Sequence, residues 1–180
     1  EKPLSYEMPE LLDVAYLPEY TELDLGAETV TNGCSLGSTI YLCASRMDTL
    51  GDSGQYMGNA GELLQISADG AIDHMPFSLD FFPVDLSNAA YVFTTPFSVQ
   101  TGPNESLWVL VNCNAGLVDD TDKWLGAVNA DFLCQVDAQG SHLSTIDLTE
   151  IEEELGIGLP NNFALDSDGW FYFLFEGEIH

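Results

Sequence analysis

The stretch FALDSDGWFYFLFEG, residues 163–177, runs from an apolar segment through Asp166-Ser167-Asp168-Gly169 into a run of aromatic residues. The Asp-Ser-Asp-Gly step can be read as a calcium loop or as the tight end of a β-hairpin. Strand-like segments flank it directly, and Asp and Gly are ordinary turn residues, so the hairpin is the better reading. The question then is how many such hairpins the chain holds.

Two more segments share its pattern of short strand, turn and short strand. One lies between Gly33 and Ser45, and the other is FSVQTGPNESLWVLVN, 97–112. A second kind of hairpin recurs in ELLQISADGAIDHMPFSL (62–79), turning at Ala68-Asp69-Gly70, and in DFLCQVDAQGSHLSTIDL (131–148), turning at Ala138-Gln139-Gly140. Gly70 and Gly140 lie 70 residues apart. Glycine at such turns supplies the positive φ that tight hairpins need. The two kinds alternate, so the unit is a four-stranded antiparallel sheet repeated along the chain, which is the pattern of a β-propeller blade. The expected fold is all-β: a partial β-propeller of about two and a half four-stranded blades. Propellers have about 4–8 blades, so either the chain is part of a larger propeller or the sheets pack as a β-sandwich. AYLPEYTELDL (15–25) matches the last strand of a unit, which gives a linker over 1–14 and a propeller-like domain over 15–180. One short helix is expected near 149–155, with Thr149 and Glu152 as a capping box and Gly156 closing it.

The composition narrows the function classes. Thirty acidic residues stand against Lys2, Arg46 and Lys123, a formal net charge of −27. Such a surface repels nucleic-acid phosphates and anionic headgroups, so neither nucleic acid nor direct membrane insertion is expected. No run approaches the roughly 20 apolar residues that span a bilayer. Cys34, Cys43, Cys113 and Cys134 form no C-x-x-C pair and read as buried thiols, although Cys113 and Cys134 could pair across neighbouring strands.

The phrases FALDSDGWFYF, QISADGAI and QVDAQGSHL resemble the blades of secreted bacterial NHL-like and SMP-30-like propellers. AYLPEYTEL is similar to the start of propeller regions in extracellular solute-binding lipoproteins of Gram-positive bacteria. The resemblance covers about residues 15–177 and rests on short turn-and-strand patterns. It implies an extracellular or cell-surface bacterial propeller that can accompany a transport-type binding domain. The chain shows neither the histidine constellation of the streptogramin-lyase kind nor the metal-ligand set of the SMP-30 kind, so the resemblance does not by itself imply their enzyme activities.

In a four-stranded blade the short hairpins and the long connections lie on opposite faces. The long connections are 47–61, 80–90, 115–129 and 149–160, and their shared face is the expected functional one. MDTLGDSGQYMGNAG (47–61) and AGLVDDTDKWLGAVN (115–129) are equivalent. Arg46, Tyr56, Lys123 and Trp124 lie in or beside them and are the candidate ligand-binding residues: a ring stacks on an apolar ligand face while charges and amides orient it. Asp119, Asp120 and Asp122 are the densest loop carboxylates and the candidate calcium ligands, without the D-x-D-x-D-G order of a calcium loop. The aromatic residues of the last hairpin and Trp108 read as core, and His74 and His142 as surface residues. No G-x-S-x-G or other catalytic signature stands out. The expected function is a ligand- or partner-binding module for a small molecule, sugar or peptide, accessory to a solute-uptake lipoprotein. The alternative is a carbohydrate-active or lyase-type enzyme with its site on the long-connection face.

Overall fold

The structure, a computed structural model, describes residues 23–27, 29–50, 56–155, 160, 162–175 and 178–179. The linker expected over 1–14 lies outside the described residues, as does most of the strand expected over 15–25. Residues 23–25 of that strand form no regular element.

The described chain is built from antiparallel sheets. Strands β1 (Thr29–Leu36), β2 (Thr39–Leu50), β3 (Tyr56–Ile66) and β4 (Ile72–Pro76) form the first, in sequence order. β5 (Ala89–Thr101), β6 (Leu107–Val118), β7 (Trp124–Val136) and β8 (His142–Asp147) form the second, again in sequence order. Helix α1 (Thr149–Leu155) leads to β9 (Asn162–Leu165), β10 (Phe171–Phe175) and β11 (Glu178–Ile179), which form the third.

The short turns are set by local chemistry. At Asp166-Ser167-Asp168-Gly169 the Asp166 carboxylate accepts hydrogen bonds from the backbone N–H groups of Asp168 and Trp170, both at 2.9 Å, and Gly169 takes a φ of +88°. The stretch is therefore a hairpin turn whose carboxylate is used by its own backbone. Asp137 does the same with Gln139 and Ser141, with Gly140 at φ +80°.

Two of the expected long loops are strand. Segments 47–61 and 115–129 continue the β2–β3 and β6–β7 ladders, leaving only 51–55 and 119–123 between strands. β8 pairs only with Phe132–Val136, so β6 and β7 project past it as a long arm flanked by β5. Ladder pairing with the partner strand keeps these segments extended in spite of their glycines.

The sheets stack in layers. One face of the second sheet carries Val99, Val109, Val111, Cys113, Phe132 and Cys134, which pack against Tyr41, Cys43 and Leu63 of the first. Its other face carries Leu110 and Leu133, which pack with Leu148 and Phe163 beside Trp108, Phe171 and Phe173. This period-two alternation lets one sheet serve two cores. Gly61 marks the closest approach of the first two sheets, since a Cβ there would lie 2.8 Å from Pro96 Cδ and 2.9 Å from Thr94 O. The stacking is head to tail. Tyr172 and Leu174 of β10 follow their turn as Trp108 and Leu110 of β6 follow theirs, and they lie on the face turned away from the second sheet. A shallow apolar groove of about 200 Å³ runs over that face, and Trp170 beside it is 69% exposed.

The four cysteines are free thiols. β6 and β7 are neighbours, but their register sets Cys113 opposite Ala130 and Cys134 opposite Val109, so the two do not meet. Burial pushes the Cys34, Cys113 and Cys134 thiols up to about 11.

Helix α1 has the expected bounds but a different cap. Asp147 Oδ1 accepts from the Thr149 N–H at 2.9 Å, and Thr149 Oγ1 is buried with no partner, so the Thr149–Glu152 capping box does not form. The reason is that Glu152 is engaged elsewhere.

Candidate functional site

The site is the part of the second sheet's outer face that the third sheet leaves uncovered. Strand register gives three rows across the arm: Tyr91, Gly116 and Ala127; Phe93, Asn114 and Asn129; Thr95, Asn112 and Asp131. Directly opposite residues share a face, so each row presents its side chains together. Below the third row lie Leu110 and Leu133, covered by α1 and the third sheet.

Trp124 joins this face through a bulge. Val118 pairs with Trp124 and Leu117 with Gly126, which leaves Leu125 as the extra residue. A bulge shifts the alternation by one and re-aims the side chains beyond it. Trp124 thereby turns over Gly116 and stacks on Tyr91, with ring centres 6.4 Å apart and planes at 26°. Gly116 is what admits it: a Cβ there would lie 2.6 Å from Trp124 Cζ3 and would also clash with the Tyr91 ring. Tyr91 meets Phe93 at 5.3 Å, so three rings form a strip along the β5 side. Trp124 remains 54% exposed.

Beside the strip runs a ladder of amides. Asn129 Oδ1 accepts from Asn112 Nδ2 at 3.2 Å and from Asn114 Nδ2 at 3.4 Å. Asn112 Nδ2 also donates to Asp131 Oδ1 at 2.8 Å. Asp131 is 1% exposed, and Glu152 of α1 hydrogen-bonds to it side chain to side chain. Two carboxyl groups can bond only if they share a proton. Desolvation raises Asp131, and desolvation followed by the Asp131 charge pushes Glu152 up to about 8. At neutral pH the two carboxyl groups therefore hold one proton between them. The pair pins α1 to β7, and the Leu148 N–H adds a bond to the Asp131 carbonyl at 2.9 Å.

The four residues expected to form one ligand site are dispersed. Arg46 lies half-buried on β2 opposite Ala60, on the face of the first sheet turned away from the second. Tyr56 opens β3 opposite Leu50, and its side chain is outside the described residues. Lys123 is exposed in the turn at the tip of the β6–β7 arm, next to Trp124. Of the four, only Lys123 and Trp124 come together, and the partners of Trp124 are the residues above.

In the turn 119–123, Asp119 Oδ1 accepts from the Thr121 N–H, the Thr121 hydroxyl and the Lys123 N–H, and these bonds hold Asp119 below its usual range. Asp120 and Asp122 are exposed. Among the described residues no group of three or more His, Cys, Asp or Glu side chains is placed to hold a metal ion. His142 is exposed and stacks on Phe81 at 4.6 Å. His74 is a surface residue, as expected, and its Nδ1 pairs at 3.1 Å with Glu62, which is 1% exposed.

Tyr91, Phe93, Asn112, Asn114, Asn129, Asp131 and Glu152 are the site residues that sequence reasoning missed. Their signal was present as Tyr-x-Phe, Asn-x-Asn and Asn-x-Asp, alternate residues facing one way in three successive strands. No family model, curated protein or solved structure matches the chain.

Proposed function

We propose that this chain is a ligand-binding module of the extracellular β-propeller type, accessory to solute uptake, and that it binds ligand on the outer face of the β6–β7 arm. The observation that carries the reading is Trp124, turned by a bulge over a side-chain-free Gly116 and left 54% exposed beside a row of amides. Folding alone would bury so large a ring, whereas a ring held rigidly and half exposed suits recognition. Stability gives another reason to place function here. The arm holds three Asn side chains and a buried carboxylate where plain aliphatic residues would pack the sheet better.

The propeller reading rests on four-stranded meanders stacked head to tail and on the uncovered Tyr172–Leu174 face, which suits a further sheet of the same kind. The secreted setting rests on the resemblance of the turn phrases. An enzymatic reading would use Asp131 and Glu152 as acid and base. The two are in direct hydrogen-bond contact, closer than the about 5 Å or more that glycoside hydrolysis needs between its carboxyl groups, so their place in this reading is structural.

The test is a thermal-shift screen of sugars, peptides and small molecules. A ligand should raise the melting temperature, and Trp124→Ala should abolish the rise while leaving the unliganded melting temperature nearly unchanged. A rise that persists in the variant would move the site elsewhere.

A further inference from the structure

Resting on that reading, we propose that the ligand is a neutral carbohydrate, its ring stacked on the Trp124–Tyr91–Phe93 strip and its hydroxyl edge bonded by Asn114 and Asn129. Three features of the face select this class.

The first is the pairing of surfaces. Aromatic rings and amides meet on this face, and in its middle row they are directly paired: Phe93 lies opposite Asn114, which lies opposite Asn129. A sugar ring has the matching character, with apolar C–H faces and a rim of hydroxyls.

The second is what the amides offer. Asn129 Oδ1 is occupied by two amide donors. Asn129 Nδ2 and Asn114 Oδ1 have no partner among the described residues, which leaves one donor and one acceptor side by side. A hydroxyl both donates and accepts, so vicinal hydroxyls satisfy such a couple without leaving either group unmatched. An apolar ligand would bury both unpaired, at a cost.

The third is charge. Among the described residues no Lys or Arg stands in these three rows; Lys123 is in the turn at the tip and Arg46 is on the other sheet. The chain carries −27 overall. An anionic ligand would meet a repelling field with no cation to neutralise it. Asp131 shares a proton with Glu152 and accepts from Asn112, so the one ionised carboxylate at the base of the face is already engaged. The local demand is thus for a neutral, hydroxyl-rich partner.

An array of neutral, acidic and amino glycans, run beside an array of uncharged peptides, tests this with wild type, Trp124→Ala and Asn114→Ala/Asn129→Ala. Neutral glycans should bind, and each variant should lose at least about tenfold, the equivalent of about 1.4 kcal/mol. Trp124→Phe should keep most of the binding, which separates ring stacking from loss of fold. Binding of peptides alone, lost in Trp124→Ala, overturns the carbohydrate class and keeps the binding face. A preference for acidic or amino glycans overturns the charge argument and with it this inference. Glycan binding that is unaffected by Trp124→Ala, or no binding on either array, overturns both this inference and the face.

Discussion

Gly116 and Trp124 form a lock: the missing side chain of one is the space the other's ring occupies. Neither is in a strained backbone region that would compel glycine. The choice at 116 is thus made by the ring above it. Gly116→Ala should push the indole off Tyr91 with little change in stability, about 1 kcal/mol or less. Tryptophan fluorescence in a Trp108→Phe/Trp170→Phe background reads this directly. A red shift and loss of near-ultraviolet dichroism are expected, and an unchanged spectrum would mean the ring does not depend on that gap.

The Asp131–Glu152 pair sets a pH dependence. Glu152 titrates at about 8 in the fold and near 4.5 when unfolded, so folding takes up a proton between those values. Stability should therefore fall as pH rises from about 4.5 to about 8 and change no further above that through this group. The raised Asp131 acts in the same direction. Asp85, Asp119, Asp137 and Asp166 are lowered by turn hydrogen bonds and act oppositely, losing their contribution as pH drops below the usual carboxylate range. Chemical denaturation across pH should show greatest stability in mildly acid solution. Glu152→Gln, whose amide can still donate to Asp131, should flatten the alkaline limb. A limb that survives in this variant would assign the proton to another group.

His74 answers for Glu62. Their contact at 3.1 Å holds one oxygen of a carboxylate that is 1% exposed, and Glu62 Oε1 has no partner among the described residues. His74→Ala should cost about 1–3 kcal/mol, since it leaves a buried acceptor unsatisfied. Adding Glu62→Gln should recover part of that loss, a non-additivity that a double-mutant cycle measures. Strictly additive effects would show that the pair is not coupled.

Residues on corresponding faces of successive sheets should differ sharply in cost. Leu110 is fully buried beneath the third sheet, whereas Tyr172, at the place of Trp108, is 45% exposed. Leu110→Ala should destabilise by about 2–5 kcal/mol, and Tyr172→Ala by well under 1 kcal/mol. Urea melts of both variants decide the matter. A large loss at Tyr172 would mean that its face is already packed.

The sheets were legible because hairpin chemistry is local. Asp and Gly at 137–140 and 166–169 announce their turns, and apolar alternation announces the strands on either side. The arms were not legible because Gly51, Gly54, Gly58 and Gly61, like Asp119, Asp120 and Asp122, read as loop. The ladder pairing between the two strands of each hairpin, rather than the residue types themselves, keeps most of those segments extended. The site failed for a related reason. Trp124 was visible as an aromatic residue beside charge, but its partners Tyr91 and Asn114 reach it only through register, and a bulge at Leu125 decides which way it faces. The helix bounds followed from composition, whereas its cap depended on Asp131, a strand residue that draws Glu152 away.

Head-to-tail stacking has a consequence for how the molecule comes apart. Among the described residues the first and second sheets share one core and the second and third the other, so stability is a sum of internal terms and neighbour interfaces, as in a linear array. The middle sheet, shared by both cores, should exchange its amide hydrogens most slowly, and opening should spread inward from the third sheet. The proposed ligand face belongs to that middle layer, so recognition there would be mounted on the part of the described chain expected to unfold last.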